Sequence, residues 1–155
     1  MLVREMLSVH PEIQGGPHSA LVRCIEECYS CVQSCTSCAD ACLAEKDVES
    51  LRLCIRLCLD CADICAAAGA VATRQTGSNN QATLAILVTC AQACQTCALE
   101  CERHAAHHEH CRISAEACLR CENACRDAIA AMPIEARPEN MPAMEPAGAS
   151  AGSWT

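Results

Sequence analysis

The chain has 155 residues, enough for one domain with a single core, yet 18 of them are Cys, while there is one Trp, one Tyr and no Phe. The formal net charge of −8 argues against nucleic acid as a partner. The first residues, MLVREMLSVHPEIQGG, contain neither the apolar run nor the small-residue cleavage site of a signal peptide, and no membrane-spanning run follows. The sequence therefore predicts a cytoplasmic protein whose thiols stay reduced, with no membrane partner.

Near the start of the chain, a short amphipathic helix is predicted over residues 2–8. Pro17 then suits the first turn of a long helix, which is predicted over residues 18–46. This helix contains CIEECYSCVQSCTSCADAC, with a Cys at every third or fourth position. Gaps of three and four residues keep side chains on one face of an α-helix, whereas a strand would need gaps of two.

The cysteine pattern recurs in three further helices. CIRLCLDCADIC lies in a helix predicted over 48–75, CAQACQTCALEC in one over 79–107, and CRISAEACLRCENAC in one over 110–131. The boundaries rest on turn and capping residues, which are Asp47 and Gly77 for the second helix, Ser78 and Gln81 for the third, and Pro133 after the fourth.

Short connections make neighbouring helices antiparallel. The expected fold is all-α, an antiparallel up-down-up-down four-helix bundle with a Cys-lined core and a short N-terminal helix. We expect residues 1–132 to form this bundle domain and residues 133–155, rich in Pro and Ala, to form a flexible tail. Met141 and Met144 in that tail could touch a soft metal ion, but the surrounding prolines favour a simple linker.

Four rows of thiols facing one axis indicate metal binding. As small hydrophobic side chains, cysteines would fill a core poorly compared with Leu. A disulfide within C-x-x-x-C would be strained, because helix positions i and i+4 have Cβ atoms roughly 5–6 Å apart and a disulfide needs about 3.5–4.5 Å. A thioredoxin-like use of the C-x-x-C spacings lacks its βαβ context.

Eight C-x-x-x-C pairs could each hold a two-coordinate ion. Linear coordination by two thiolates suits a soft monovalent ion, and thiolates select copper(I). One copper(I) per thiolate would neutralise the buried row, whereas zinc needs separate tetrahedral sets. The candidate ligands are Cys24, Cys28, Cys31, Cys35, Cys38, Cys42, Cys54, Cys58, Cys61, Cys65, Cys90, Cys94, Cys97, Cys101, Cys111, Cys118, Cys121 and Cys125. Because Ser114 precedes Cys118 by four residues, Cys111 and Cys118 lack a pair and must share ions across helices.

The two ends of the predicted bundle differ. His104 and His108 continue the cysteine row of the third helix beyond Cys101, and His110 precedes Cys111. All three are further candidate metal ligands, since imidazole is a more labile ligand that suits an entrance. His107 points away from the cysteine row on the helical wheel. At the opposite end, an apolar plug is expected from four residues, which are Val71, Leu84, Leu87 and Ile129.

The repeated C-x-x-x-C pattern on four helices resembles the bacterial four-helix-bundle copper storage proteins, in their cytosolic branch without a signal peptide. The resemblance covers residues from about 18 to 131. It implies a homotetramer that stores many copper(I) ions, with copper donor or acceptor proteins as partners. Repetition of one ligand type indicates capacity rather than a catalytic site, so no enzyme activity is expected. Storage or detoxification of zinc or another thiophilic metal remains the alternative, followed by a thiol redox protein.

Overall fold

The computed structural model describes residues 2–77 and 79–133, and these form helices and turns without any strand. The helices are α1 (Val3–Ser8), α2 (Ser19–Ala44), α3 (Arg52–Ala72), α4 (Asn80–His104) and α5 (Glu109–Ala131), with a 3₁₀ turn at Val48–Leu51 leading into α3. The predicted tail beyond Pro133, with Met141 and Met144, lies outside the described residues.

Each of the four long helices packs against two others. α2 lies between α3 and α5, and α4 contacts the same two helices from the other side. The chain therefore alternates direction along a closed ring of four helices, and the predicted all-α up-down-up-down bundle is confirmed.

Several predicted helix ends are wrong by a few residues. Pro17 precedes the first turn, because His18 is the N-cap of α2. Asp47 does not cap backbone N–H groups; its carboxylate accepts a hydrogen bond from the Ser50 hydroxyl at 3.0 Å. α3 ends at Ala72, and Gly77, with φ +69°, lies in the following loop, where a left-handed conformation favours glycine.

The predicted third helix is shorter than expected at both ends. α4 begins at Asn80, and the Ser78 of the predicted capping box lies outside the described residues. Its last residue is His104 rather than residue 107, so the next three residues form a turn. His108 is therefore not on α4 and instead is the N-cap of α5.

One end of the bundle is closed by apolar side chains. Leu84, Leu87 and Ile129 are buried there, as predicted for the plug. Val71 is only half-buried and lines a surface cavity of about 850 Å³ at this end. The predicted N-terminal helix covers the same end, because Val3 of α1 belongs to a small apolar cluster with the first turns of α2 and the last turn of α3.

Helices α2 and α3 approach closely at Gly69. A Cβ atom at this position would lie 3.1 Å from Cζ and 3.2 Å from Cε2 of Tyr29. Glycine inside a helix costs about 1 kcal/mol relative to alanine. Its presence here is explained by the aromatic ring that occupies the space of a side chain.

α4 is long and apolar enough to cross a membrane by length and composition, which the sequence analysis did not anticipate. In the structure its cysteine face is buried against α3 and α5 as a core helix of the bundle. The outer face of α4 is unusual in another way, because residues 80–99 contain no charged side chain.

Candidate metal centre

All predicted thiolate ligands line the axis of the bundle. The 18 cysteines are free thiols, and each is at most 1% exposed. Their close approach follows from the sequence, because the gaps of three and four residues keep each helix's cysteines on its inner face.

The 18 sulfur atoms form a column along the bundle axis, and most contacts within this column join sulfur atoms of different helices. Within helices, sulfur atoms four residues apart approach to 3.7 Å for Cys31/Cys35 and 3.8 Å for Cys61/Cys65. The shortest sulfur contact, 3.4 Å, instead joins Cys35 of α2 to Cys118 of α5. Two-coordinate pairs within one helix therefore describe only part of the arrangement, since most neighbours of a given sulfur belong to other helices.

The sulfur atoms also gather into groups of four whose members all lie within 4.8 Å of one another. Five of these groups are Cys28/Cys90/Cys121/Cys125, Cys31/Cys65/Cys94/Cys121, Cys31/Cys35/Cys61/Cys118, Cys38/Cys54/Cys58/Cys101 and Cys38/Cys42/Cys54/Cys111. Cys31, Cys38, Cys54 and Cys121 each belong to two of these groups. Metal ions filling neighbouring groups would therefore share thiolates, as in a bridged cluster rather than in separate sites.

Ser114 interrupts the thiol row of α5. Its side chain is fully buried, and its hydroxyl lies 3.7 Å from the sulfur of Cys35 and 4.0 Å from that of Cys58. Cys111 and Cys118, which lack a C-x-x-x-C partner, have sulfur neighbours on other helices, and their predicted sharing of ions across helices stays a prediction. Cys118 contacts α2, while Cys111 lies 3.9 Å from Cys54 of α3.

His110 is the histidine that reaches the thiols. Its Nδ1 lies 3.5 Å from the sulfur of Cys38, 3.8 Å from that of Cys42 and 3.5 Å from that of Cys111. Its Nε2 lies 3.2 Å from Oε1 of Glu45. The imidazole therefore stands between the outermost thiols and a surface carboxylate, and the end predicted to be the entrance carries this ring.

The other two predicted histidines lie beside His110 but contact carboxylates. His104 Nε2 is 3.2 Å from Oε1 of the buried Glu100. His108 Nδ1 is 3.2 Å from Oε1 of Glu45. The ring of His108 lies between the other two, with centroid distances of 6.5 Å to His104 and 5.4 Å to His110.

The chain matches the family model for Csp, the copper storage protein, over residues 17–130. This match spans four helices and all 18 cysteines. The chain belongs to the copper storage protein family. Among curated proteins, none gives a match to it.

Solved structures of copper storage proteins resemble the chain closely. Ccsp from Streptomyces lividans, loaded with 10 copper equivalents, is 50% identical, with a TM-score of 0.81 over 84% of this chain and 99% of that one. A cytosolic copper storage protein from the same organism, with five coppers, is 53% identical, with a TM-score of 0.72 over 74% and 95% of the two chains. The Cu(I)-bound storage protein BsCsp3 is 39% identical, with a TM-score of 0.61 over 70% and 96%.

In this copper storage protein, pKa values are shifted at the histidine-bearing end of the bundle, which is called the mouth below and contains Cys42, Cys111, Glu45, His108 and His110. Burial, followed by the charges of Cys38 and Cys54, raises the pKa of Cys42 to about 12, and the same causes raise the pKa of Cys111. Hydrogen bonds from His108 and His110 lower the pKa of Glu45. Cys42 and Cys111 thus hold their protons firmly, next to a carboxylate that stays ionised.

Sequence reasoning missed the carboxylates at the mouth. Glu45 and Asp47 follow the last cysteine of α2, and Glu100 precedes the last cysteine of α4 by one residue. The available signal was their position at the same end of the bundle as the histidine-rich turn. His107, predicted to point away from the thiols, is exposed.

Proposed function

We propose that this protein stores copper(I) in the thiolates that line its bundle. The observation that carries the proposal is the continuous column of 18 buried thiols, with sulfur contacts between 3.4 and 4.0 Å. The proposed ligands are all 18 cysteines, together with histidines at the mouth. Storage also agrees with the copper carried by relatives that are half identical to this chain.

Copper(I) fits the column better than zinc because the thiols form one continuous row in which neighbouring groups share members. A zinc ion takes a tetrahedral set of four ligands, so the continuous row would have to divide into tetrahedra, whereas copper(I) can bind a pair of thiolates. Copper(I) can bind two thiolates and share them with neighbouring ions, which balances one positive charge per sulfur. Zinc or another thiophilic metal stays the second candidate, because any single four-thiol group has the composition of a structural zinc site.

A Cu(I) titration tests the storage function. The reduced apoprotein is titrated anaerobically, and the bound equivalents are read before a competing chelator takes the metal. Because each thiolate charge needs one cation, we expect well over about ten equivalents per chain. Saturation at about four or fewer, or preferential retention of zinc over copper(I), would falsify the clustered copper site.

Copper entry is proposed at the histidine end. His110 contacts the thiols directly, the His108 ring lies beside it and the His104 ring lies beside His108, so an ion could be passed inward by ligand exchange. Replacing His104 and His108 together with Ala should slow uptake while the thiols keep the final capacity nearly unchanged. Unaltered uptake kinetics in this double variant would remove these two histidines from the route.

The protein is further proposed to act in the cytoplasm as a homotetramer without catalytic activity. A groove of about 470 Å³ between α3 and α4, lined by Leu57, Ile64 and Val88, adjoins the uncharged face of α4. Charge depletion is typical of interface cores, and it would let chains of net charge −8 associate. Sedimentation analysis of the protein and of Thr89→Glu, placed on this face, tests the assembly, with dissociation expected in the variant.

Two further assignments complete the proposal. Residues 1–132 are the storage domain and residues 133–155 form an appended tail, which agrees with the end of the family match at residue 130. The partners are copper ions and the proteins that deliver or receive them. Unchanged capacity and helicity after removal of residues 134–155 would support this division of the chain.

A further inference from the structure

One carboxylate oxygen at the mouth faces two imidazoles. Oε1 of Glu45 lies 3.2 Å from Nδ1 of His108 and 3.2 Å from Nε2 of His110. The side chains are partly accessible, with 37% of Glu45, 11% of His108 and 22% of His110 exposed. Two nitrogens and one oxygen thus converge from the end of α2 and the start of α5, next to solvent.

The separations suit a metal ion. In a tetrahedral site with bonds of about 2.1 Å to nitrogen and oxygen, neighbouring ligand atoms lie about 3.4 Å apart. The two distances to the Glu45 oxygen are within a few tenths of an ångström of that value. Two imidazoles and one carboxylate with an open position form a common ligand set for divalent transition metals.

A second carboxylate supports the same assignment. Nε2 of His108, the nitrogen facing away from Glu45, lies 3.6 Å from Oδ2 of Asp47. Histidines that bind metals usually donate their other N–H to a carboxylate, which fixes the ring and leaves the first nitrogen free for the ion. At 3.6 Å Asp47 is an ion-pair neighbour of Nε2, and a shift of a few tenths of an ångström would let it accept the Nε2 proton and leave Nδ1 free for the ion.

We propose that Glu45, His108 and His110 form a binding site for a divalent transition-metal cation, separate in chemistry from the thiolate column. His110 links the two sites, because its Nδ1 faces the thiols and its Nε2 faces the proposed cation. A neutral imidazole has one nitrogen free to bind and one that carries the proton. A divalent ion on Nε2 therefore prevents copper(I) from binding at Nδ1, and the mouth admits copper(I) only while the divalent site is empty.

The binding test uses Mn²⁺ as the probe, because it is the weakest thiolate binder among these metals. Free Mn²⁺ is measured by electron paramagnetic resonance during titration of the reduced, copper-free protein. We expect one bound ion per chain, and affinity lowered more than about 10-fold in Glu45→Gln and His108→Ala. His107→Ala, which alters an exposed histidine of the same turn, is the matched control and should bind Mn²⁺ as the natural protein does.

The competition test rests on the proposed storage function and compares the copper(I) uptake rate with Mn²⁺ to the rate without it. The initial rate of copper(I) uptake is measured with and without saturating Mn²⁺ in each variant, so any change in the basal rate cancels. Mn²⁺ should slow uptake by the natural protein and by His107→Ala but not by Glu45→Gln. Circular dichroism checks that each variant keeps its helices.

Three results would overturn the proposal. These are absence of Mn²⁺ binding up to millimolar concentrations, equal affinity in Glu45→Gln and the natural protein, or uptake that is indifferent to bound Mn²⁺. The first two would show that Glu45 only accepts hydrogen bonds from the two imidazoles. Failure of the storage function itself would appear separately, as a low copper(I) capacity in the absence of Mn²⁺.

Discussion

Replacing Ser114 with Cys should increase the copper capacity by one ion. Ser114 occupies a fully buried position in the inner row of α5, and its oxygen lies 3.7 Å from the sulfur of Cys35 and 4.0 Å from that of Cys58. These distances fall within or close to the range of the sulfur contacts around it. A sulfur atom placed there would contact the sulfur atoms of Cys35 and Cys58 and complete a C-x-x-x-C pair with Cys118.

The size of the effect follows from charge balance. If one copper(I) neutralises one thiolate, the 18 thiols of the natural chain hold about 18 ions and the variant holds about 19. The apoprotein should change little in stability, within about 1 kcal/mol, because a neutral hydroxyl that donates one hydrogen bond is exchanged for a weakly polar thiol.

Native mass spectrometry of the loaded proteins resolves single ions, and chelator competition gives the affinity of the last one. Ser37→Cys is the matched control, because Ser37 is exposed on α2 and an added thiol there has no column to join. Equal capacity of Ser114→Cys and the natural protein, or an equal increase in Ser37→Cys, would refute the link between column membership and capacity.

Four further outcomes are expected. Far-UV circular dichroism should change little on copper loading, because protonated thiols are neutral and the apo bundle is already packed; a coil-to-helix transition would contradict this. Gly69→Ala should lower the free energy of unfolding by about 1 kcal/mol in denaturant titrations, because the clash with the Tyr29 ring outweighs the gain in helix propensity. In a Tyr29→Leu background, the same Gly69→Ala change should no longer be destabilising. His110→Ala should slow copper(I) uptake, whereas Thr83→Leu at the plug end should not; the reverse result would place the entrance at the other end. The free energy of copper binding should weaken as the pH falls, because thiols such as Cys42, with its pKa raised to about 12, must lose a proton to bind copper. The expected loss is about 1.4 kcal/mol per pH unit for each proton displaced, and chelator competition across pH measures it.

The helical periodicity determined most of the fold and which cysteines line the core. Gaps of three and four residues put cysteines on one face of each helix, and a hydrophobic or metal-binding face must turn inward whatever the details of packing. The order of the helices followed from their short connections. Because neighbouring helices are antiparallel, the histidines gather at one end of the bundle and the apolar plug residues at the other. These features depend on local geometry, which the sequence carries directly.

Only the tertiary structure decided which atoms meet. The sequence indicated pairs within a helix, such as Cys31 and Cys35. The sulfur of Cys31 also has neighbours on α3 and α5, and these contacts depend on the relative height and rotation of the helices. The helix end at His104 could not be located because no Gly or Pro marks it, so His108 was placed on the wrong helix. Glu45 reaches two histidines that are more than 60 residues away in the chain, and a contact of that kind has no periodicity from which to predict it.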